Sequence, residues 1–205
     1  TTLEKDEDEL FKLWELKIGK KIILFPGRLT SWKGQEVFLD AINKVNIQLG
    51  HDAFIAVILG SDQGRDLYKK KLIRLVEQYR LTNQVKFIDH CKNMPVAYKI
   101  SNFVVSASIE PESFGRISVE AQSMQKPILA SNIGGSKETI VDNKTGILFD
   151  SGNSEEMSKK IIELFNLDES TLNQMGIEGR KNVINKFNVE KMCFSTYSEY
   201  KKLIN

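Results

Sequence analysis

Cysteine is scarce in this chain: 2 of 205 residues, Cys91 and Cys193, far apart and with no metal-ligand spacing around them. That excludes a disulfide scaffold and suits a reduced, cytosolic setting, with both thiols expected free and in or near the core. Excess charge is missing as well. The 29 basic and 27 acidic side chains leave +2, so no broad basic face supports general nucleic-acid binding, and only a local basic cluster stays open. The longest apolar runs, such as residues 54–59, are far shorter than the ~20 residues that cross a bilayer. No signal peptide, low-complexity linker or internal repeat is evident. The expectation is a soluble, cytoplasmic fragment, and because it opens on Thr1 rather than methionine it reads as a piece of something longer.

At 41% hydrophobic residues the chain can bury one sizeable core, and its length is that of a single domain. Apolar strand-like runs at 21–25, 53–59, 85–88, 103–107, 127–131 and 146–149 alternate with helical patterns near 35–48, 66–80, 96–100, 115–125, 136–141 and 155–167. Continuous apolar strands separated by helices imply a parallel sheet covered on both faces. The predicted fold is α/β, a doubly wound Rossmann-like parallel sheet of about six strands with extra C-terminal helices. An acidic amphipathic helix is expected over 6–16, and Gly176 and Gly179 are expected to break the C-terminal stretch into two helices before Lys186 and Phe187. Ligands of such sheets bind beyond the carboxyl ends of the strands, so the informative residues belong to the loops after strands.

Two of those loops carry chemistry. After the first strand, Pro26-Gly27-Arg28-Leu29-Thr30-Ser31-Trp32-Lys33-Gly34 places a guanidinium and an ammonium five residues apart. A planar fork and a point charge facing one diphosphate make short, charge-assisted bonds, although a loop of this kind standing alone would read as solvated basic surface. It is neither a P-loop nor a Gly-x-Gly-x-x-Gly turn. After the fourth strand, Glu112 and Glu120 stand eight residues apart at a strand-to-helix junction. A helix start favours anions, and carboxylates placed there suit a phosphate that carries sugars. Read alone, the two acids could be ordinary complements of the helix dipole. The only Asp-x-Asp triplet, Asp6-Glu7-Asp8, falls in the expected N-terminal helix before every strand and reads as an exposed acidic turn of it, so no metal site is expected.

Taken together, these residues resemble the retaining GT-B glycosyltransferases of the glycogen-synthase-like group 1 type, known as family 4. The matching pieces are Gly27-Arg28 with Lys33-Gly34, the Glu-x7-Glu element from Glu112 to Glu120 with Phe114-Gly115 inside it, and Glu120-Ala121. Pro127-Ile128-Leu129-Ala130-Ser131 leading to Gly134-Gly135, and Thr145-Gly146-Ile147-Leu148-Phe149, follow in order, so the similarity runs from about residue 20 to 200.

The resemblance implies that Arg28 and Lys33 grip the diphosphate of a nucleotide-sugar and steady it as a leaving group, with Gly27 beside them. Glu112 would accept from donor-sugar hydroxyls, and Glu120, two turns into a helix, from the ribose hydroxyls. Main-chain N-H groups of Phe114, Gly115, Arg116 and Ile117 would complete the phosphate cradle. Arg116 would either add a third phosphate charge or point to solvent. The base would lie over the loop carrying His90, Cys91 and Met94, where this chain has Asp89-His90-Cys91 in place of the family's usual glycine.

The implied catalytic set is Arg28, Lys33 and Glu112, with no cofactor and no metal. The implied reaction transfers a hexosyl group from UDP- or GDP-sugar with retention, in cell-surface glycan or lipopolysaccharide synthesis. Residues 1–18 would be a linker and N-terminal helix, and 19–205 the C-terminal donor-binding half. The N-terminal acceptor half would be absent, which makes the isolated fragment inactive. The full-length enzyme would meet an acceptor glycan or glycolipid and could lie at a membrane surface. A two-carboxylate hydrolase is disfavoured, because on one helical stretch Glu112 and Glu120 would stand about eight rises of ~1.5 Å apart, wider than the gap in retaining glycosidases. A non-catalytic nucleotide-sugar-binding module and a nucleotide-sugar epimerase-like protein are the other two readings.

Overall fold

The computed structural model describes residues 2–204. Six parallel strands form one sheet in the order β3-β2-β1-β4-β5-β6. They are β1 (Lys21–Pro26), β2 (Phe54–Leu59), β3 (Val85–Ile88), β4 (Phe103–Ser106), β5 (Ile128–Ser131) and β6 (Ile147–Phe149). The helices between them are α2 (Gln35–Leu49), α3 (Asp66–Gln78), α4 (Met94–Ile100), α5 (Arg116–Ser123) and α6 (Ser136–Thr139). α1 (Thr2–Leu13) precedes the sheet, and α7 (Ser154–Asn166), α8 (Glu169–Lys186) and α9 (Val189–Ile204) follow it. The predicted doubly wound sheet is thus the observed one. Each strand alternates its side chains between two cores. Ile23, Phe25, Ala56, Ile58, Phe103 and Val105 face α2, α3 and α7, while Ile22, Leu24, Ile55, Val57 and Val104 face α1, α4 and α5.

Two expectations need correction. Gly176 and Gly179 do not break a helix, for both lie inside the 18-residue α8. A Cβ on Gly176 would sit 2.1 Å from the Gln125 carbonyl oxygen, and one on Gly179 would sit 3.0 Å from Gln122 Cγ. The glycines therefore serve close approach to α5 and the turn after it, and tertiary contact outweighs their ~1 kcal/mol helix penalty. The breaks fall instead at Asp168, whose side chain caps α8 by accepting from the Thr171 N-H at 2.8 Å, and at Phe187. The cysteines are not both core residues: Cys91 is half-buried, and Cys193 is exposed on α9, a helix with no buried residue. Asp6-Glu7-Asp8 lies in α1, as the expected N-terminal helix implies, with Asp6 accepting from Asn93 at 3.3 Å and Glu7 paired with Lys99, so the triplet docks α1 onto α4. Leu10 of α1 and Trp14 and Leu16 just beyond it are buried in the second core.

Strand order places the site. The chain runs outward from β1 to the edge strand β3 and then returns to lay β4 beside β1, pairing Ile23 with Phe103 and Leu24 with Val104. The connections that leave β1 and β4 therefore part in opposite directions and open a crevice between them, the usual ligand position in open parallel sheets.

Candidate donor site

The loop after β1 is pinned at several points before it presents a side chain. Gly27 N-H donates to the Leu59 carbonyl at 2.8 Å, Leu29 N-H to Ser61 at 3.0 Å, and the buried Gln35 amide to the Arg28 carbonyl at 2.8 Å. A 3-10 turn over Ser31–Lys33 ends at Gly34, which holds φ 77° and lies so close to β4 that a Cβ would stand 1.9 Å from the Ala107 carbonyl oxygen. Only glycine accepts both the left-handed backbone and that contact. The close approach carries Lys33, only 8% exposed, to the mouth of β4.

The loop after β4 is held from the other side. Gly135 N-H donates to the Glu112 carbonyl at 2.7 Å. Cβ atoms on Gly134 and Gly135 would fall 2.6 Å from the Glu112 carbonyl oxygen and 2.5 Å from the Phe114 carbonyl carbon. The paired glycines after β5 thus let their own loop press against the Glu112–Phe114 backbone. Gly115, at φ 73°, then starts α5. Glu112 consequently stands in the loop before the helix, and Glu120 one turn inside it rather than two. The two acids share no helical stretch, so a spacing based on eight helical rises does not apply to them.

These loops bring most of the expected residues together around a 460 Å³ cavity lined by Gly27, Arg28, Lys33, Glu112, Phe114, Gly115, Arg116, Ile117 and Glu120, with Trp32 and Ser113. Lys33 Nζ lies 2.8 Å from Glu112 Oε1 and 4.4 Å from the centre of the Trp32 ring. The Ser108 hydroxyl, at the end of β4, donates to the same carboxylate oxygen. Ammonium and carboxylate are both largely withdrawn from water, at 10% and 20% side-chain exposure, so each neutralises a charge that would be costly alone. An ammonium has three N-H donors, and two remain for a ligand. Arg28 is exposed, and among the described residues its one side-chain partner is Gln63 Oε1 at 3.4 Å, which leaves most of the guanidinium fork available. At the far wall Glu120 accepts from the Tyr98 hydroxyl at 2.8 Å and from Arg116 Nη2 at 3.2 Å. The Arg116 side chain is 83% exposed and lies along its own helix. The first N-H groups of α5 have no intrahelical acceptor and favour an anion between the two acids.

The structure does not bring the remaining three candidates to this cavity. His90 and Cys91 line a separate 430 Å³ cavity with Leu10, Leu13 and Trp14, and burial pushes the Cys91 thiol up from its ordinary value. Met94 opens α4 and packs half-buried against the second core. Conversely, Trp32, Ser108 and Tyr98 were not expected at the site. Ser108 stands four residues before Glu112, a spacing that offers a weak cue, whereas nothing in the sequence brings Tyr98 to Glu120.

The family description "Glycosyl transferases group 1" matches residues 6–182. The chain belongs to the group 1 glycosyl transferases. A D-inositol 3-phosphate glycosyltransferase from Corynebacterium diphtheriae is 30% identical over 173 residues, which are 83% of this chain and 40% of that protein. The solved structure of a glycosyltransferase from Rickettsia africae superposes with a TM-score of 0.91 at 31% identity, covering 98% of this chain and 52% of the other. The C-terminal domain of LpcC, a group 1 family protein from Francisella tularensis, gives a TM-score of 0.76 at 26% identity, and the match covers 89% of this chain and 93% of that domain. This chain spans about half the length of the curated relatives it matches. Within the group 1 glycosyl transferases it has the extent of a C-terminal, Rossmann-like half of the GT-B architecture. Among the described residues no helix is long and apolar enough to cross a membrane, and no cluster of three metal-ligating side chains occurs.

Proposed function

We propose that this chain is the donor-binding half of a glycosyltransferase that moves a hexosyl group from a nucleoside diphosphate sugar to an acceptor with retention and without a metal. The observation that carries the reading is the crevice between β1 and β4, where Arg28 and Lys33 face the amino end of α5 and Glu112 and Glu120 stand on either side. Two cations and a helix terminus suit a diphosphate, and the flanking carboxylates suit hydroxyls rather than phosphate oxygens. Lys33 and Arg28 would stabilise charge as it builds on the departing diphosphate, the transition-state role of fixed cations in a desolvated site. Glu112, oriented by Ser108 and Lys33, would accept from a sugar hydroxyl, and Glu120 from the ribose.

The base would then run beyond Glu120 toward the start of α4. Tyr98 links Glu120 to that helix, and Met94, Cys91 and His90 lie about one turn earlier along it and in the loop before it. The acceptor, a glycan or glycolipid of the cell surface, would be met by residues outside this chain.

Calorimetry with UDP and GDP in the presence of EDTA tests the reading. Binding of one of them is expected, with Lys33→Ala and Arg28→Ala each weakening the diphosphate about tenfold or more, the scale of a lost charge-assisted bond, while the bare nucleoside changes little. Equal losses for nucleoside and diphosphate would remove the diphosphate role, and binding that needs Mg²⁺ would remove the metal-free one.

A further inference from the structure

The two oxygens of Glu120 are occupied in unlike ways. Oε1 accepts from Arg116, a partner whose side chain is 83% exposed and which water or a ligand can replace. Oε2 accepts from the Tyr98 hydroxyl at 2.8 Å. Tyr98 is only 2% exposed and packs in the second core with Val96, Val104 and Ala121. Its ring cannot turn without disturbing that packing, and its own carbonyl is tied to the Ser101 hydroxyl at 2.7 Å where α4 ends. Burial, and then the adjoining carboxylate, push the phenol pKa well up, so the group remains a proton donor throughout the neutral range.

We propose that Tyr98 is the positioning residue for Glu120, its buried hydroxyl fixing the carboxylate so that Oε1 and the second lone pair of Oε2 meet the ribose hydroxyls of the donor. The inference rests on the donor-binding reading of the crevice. A glutamate reaching from a helix into a crevice has three side-chain torsions to order. A bond to a donor that packing has already fixed moves that ordering from the binding step to folding. Arg116 cannot perform this service, because it is itself solvated and lies on the same helix. The bond also joins two elements, for α4 enters the sheet before β4 and α5 leaves after it, so a contact made by the ribose is braced by the helix on the far side of the strand.

The test compares the tighter-binding of UDP and GDP with its 2′,3′-dideoxy counterpart, by calorimetry on the wild-type chain and on Tyr98→Phe. The substitution keeps the ring in the core and removes only the hydroxyl. The wild type is expected to prefer the ribonucleotide about tenfold, the size of a hydrogen bond to a charged acceptor. Tyr98→Phe should reduce that preference to about threefold or less, with affinity for the dideoxy compound within about twofold of wild type. Should Tyr98→Phe fail to fold by circular dichroism, Glu120→Asp draws the carboxylate back from the phenol and should lower the preference similarly.

An undiminished preference in the variant would overturn the positioning role while leaving the donor site intact. Equal losses for both ligands would reduce Tyr98 to a packing residue and also overturn it. No preference in a wild type that still binds the diphosphate would remove the ribose role of Glu120, and this inference with it. Failure to bind any nucleoside diphosphate would remove the donor reading itself.

Discussion

The crevice between β1 and β4 and the cavity beside α1 are nearly equal in volume, 460 and 430 Å³, and a loop that follows a strand lines part of each. They are built in opposite ways. The crevice stands where the strand order reverses, its loops locked by backbone contacts that only glycine permits, and its lining includes three cations and two carboxylates. The other is framed by Leu10, Leu13, Trp14 and Val96, with Asp6, Glu9 and Lys92 beside them, along the seam where the N-terminal helix rests on the sheet layer. Neither size nor the presence of charge separates them; the position in the strand order and the glycine-locked loops do.

Three substitutions can break or sharpen the distinction. The largest effect is expected from Trp14→Ala, which empties a buried indole from the seam and should cost about 3–5 kcal/mol of unfolding free energy. Chemical denaturation would measure that loss, while nucleotide affinity of the remaining folded protein stays near wild type; a parallel collapse of affinity would mean that the seam is part of the site. Gly34→Ala should come next. It forces a side chain against Ala107 at a left-handed position, at about 1–3 kcal/mol of strain, and backing the loop away from Ala107 to relieve it would draw Lys33 from Glu112. Its signature is a fall in diphosphate affinity larger than the fall in stability predicts for a remote site, so a variant with normal affinity would show that the glycine contact does not set the Lys33 position. The smallest effect belongs to His90→Ala, an exposed residue of the loop that leads to α4. A change of a few-fold, below ~1 kcal/mol, and unequal between UDP and GDP would connect the two cavities through the base. No change at all would separate them.

The sequence discloses the sheet well, because strands buried on both faces read as unbroken apolar runs, and β1, β2, β4 and β5 lie within a residue or two of the expected positions. The Arg28, Lys33, Glu112 and Glu120 positions are legible for a related reason: each follows such a run, where a parallel sheet must place its ligands. What sequence spacing cannot carry is contact between elements. Tyr98 and Glu120 are 22 residues apart on different helices, and only the return of the chain from β3 to β4 brings them together. Gly176 and Gly179 mislead for the same reason, since glycine signals a break in a single helix and close approach in a packed pair. Cys193 was assigned to the core from the habits of its residue type, but α9 has no buried face within this chain.

The contact between α8 and α5 reaches further than its distance from the ligand suggests. Gln122 of α5 donates to the Thr139 carbonyl at 2.9 Å, and Asn182 of α8 donates to that same carbonyl at 3.0 Å and to Gln122 at 3.2 Å. All three residues are buried. Anyone randomising the crevice to alter the proposed donor preference should therefore treat Gly176, Gly179 and Asn182 as part of the fixed frame. A larger residue at either glycine would tilt the helix that carries Glu120 and be scored, wrongly, as a change in specificity.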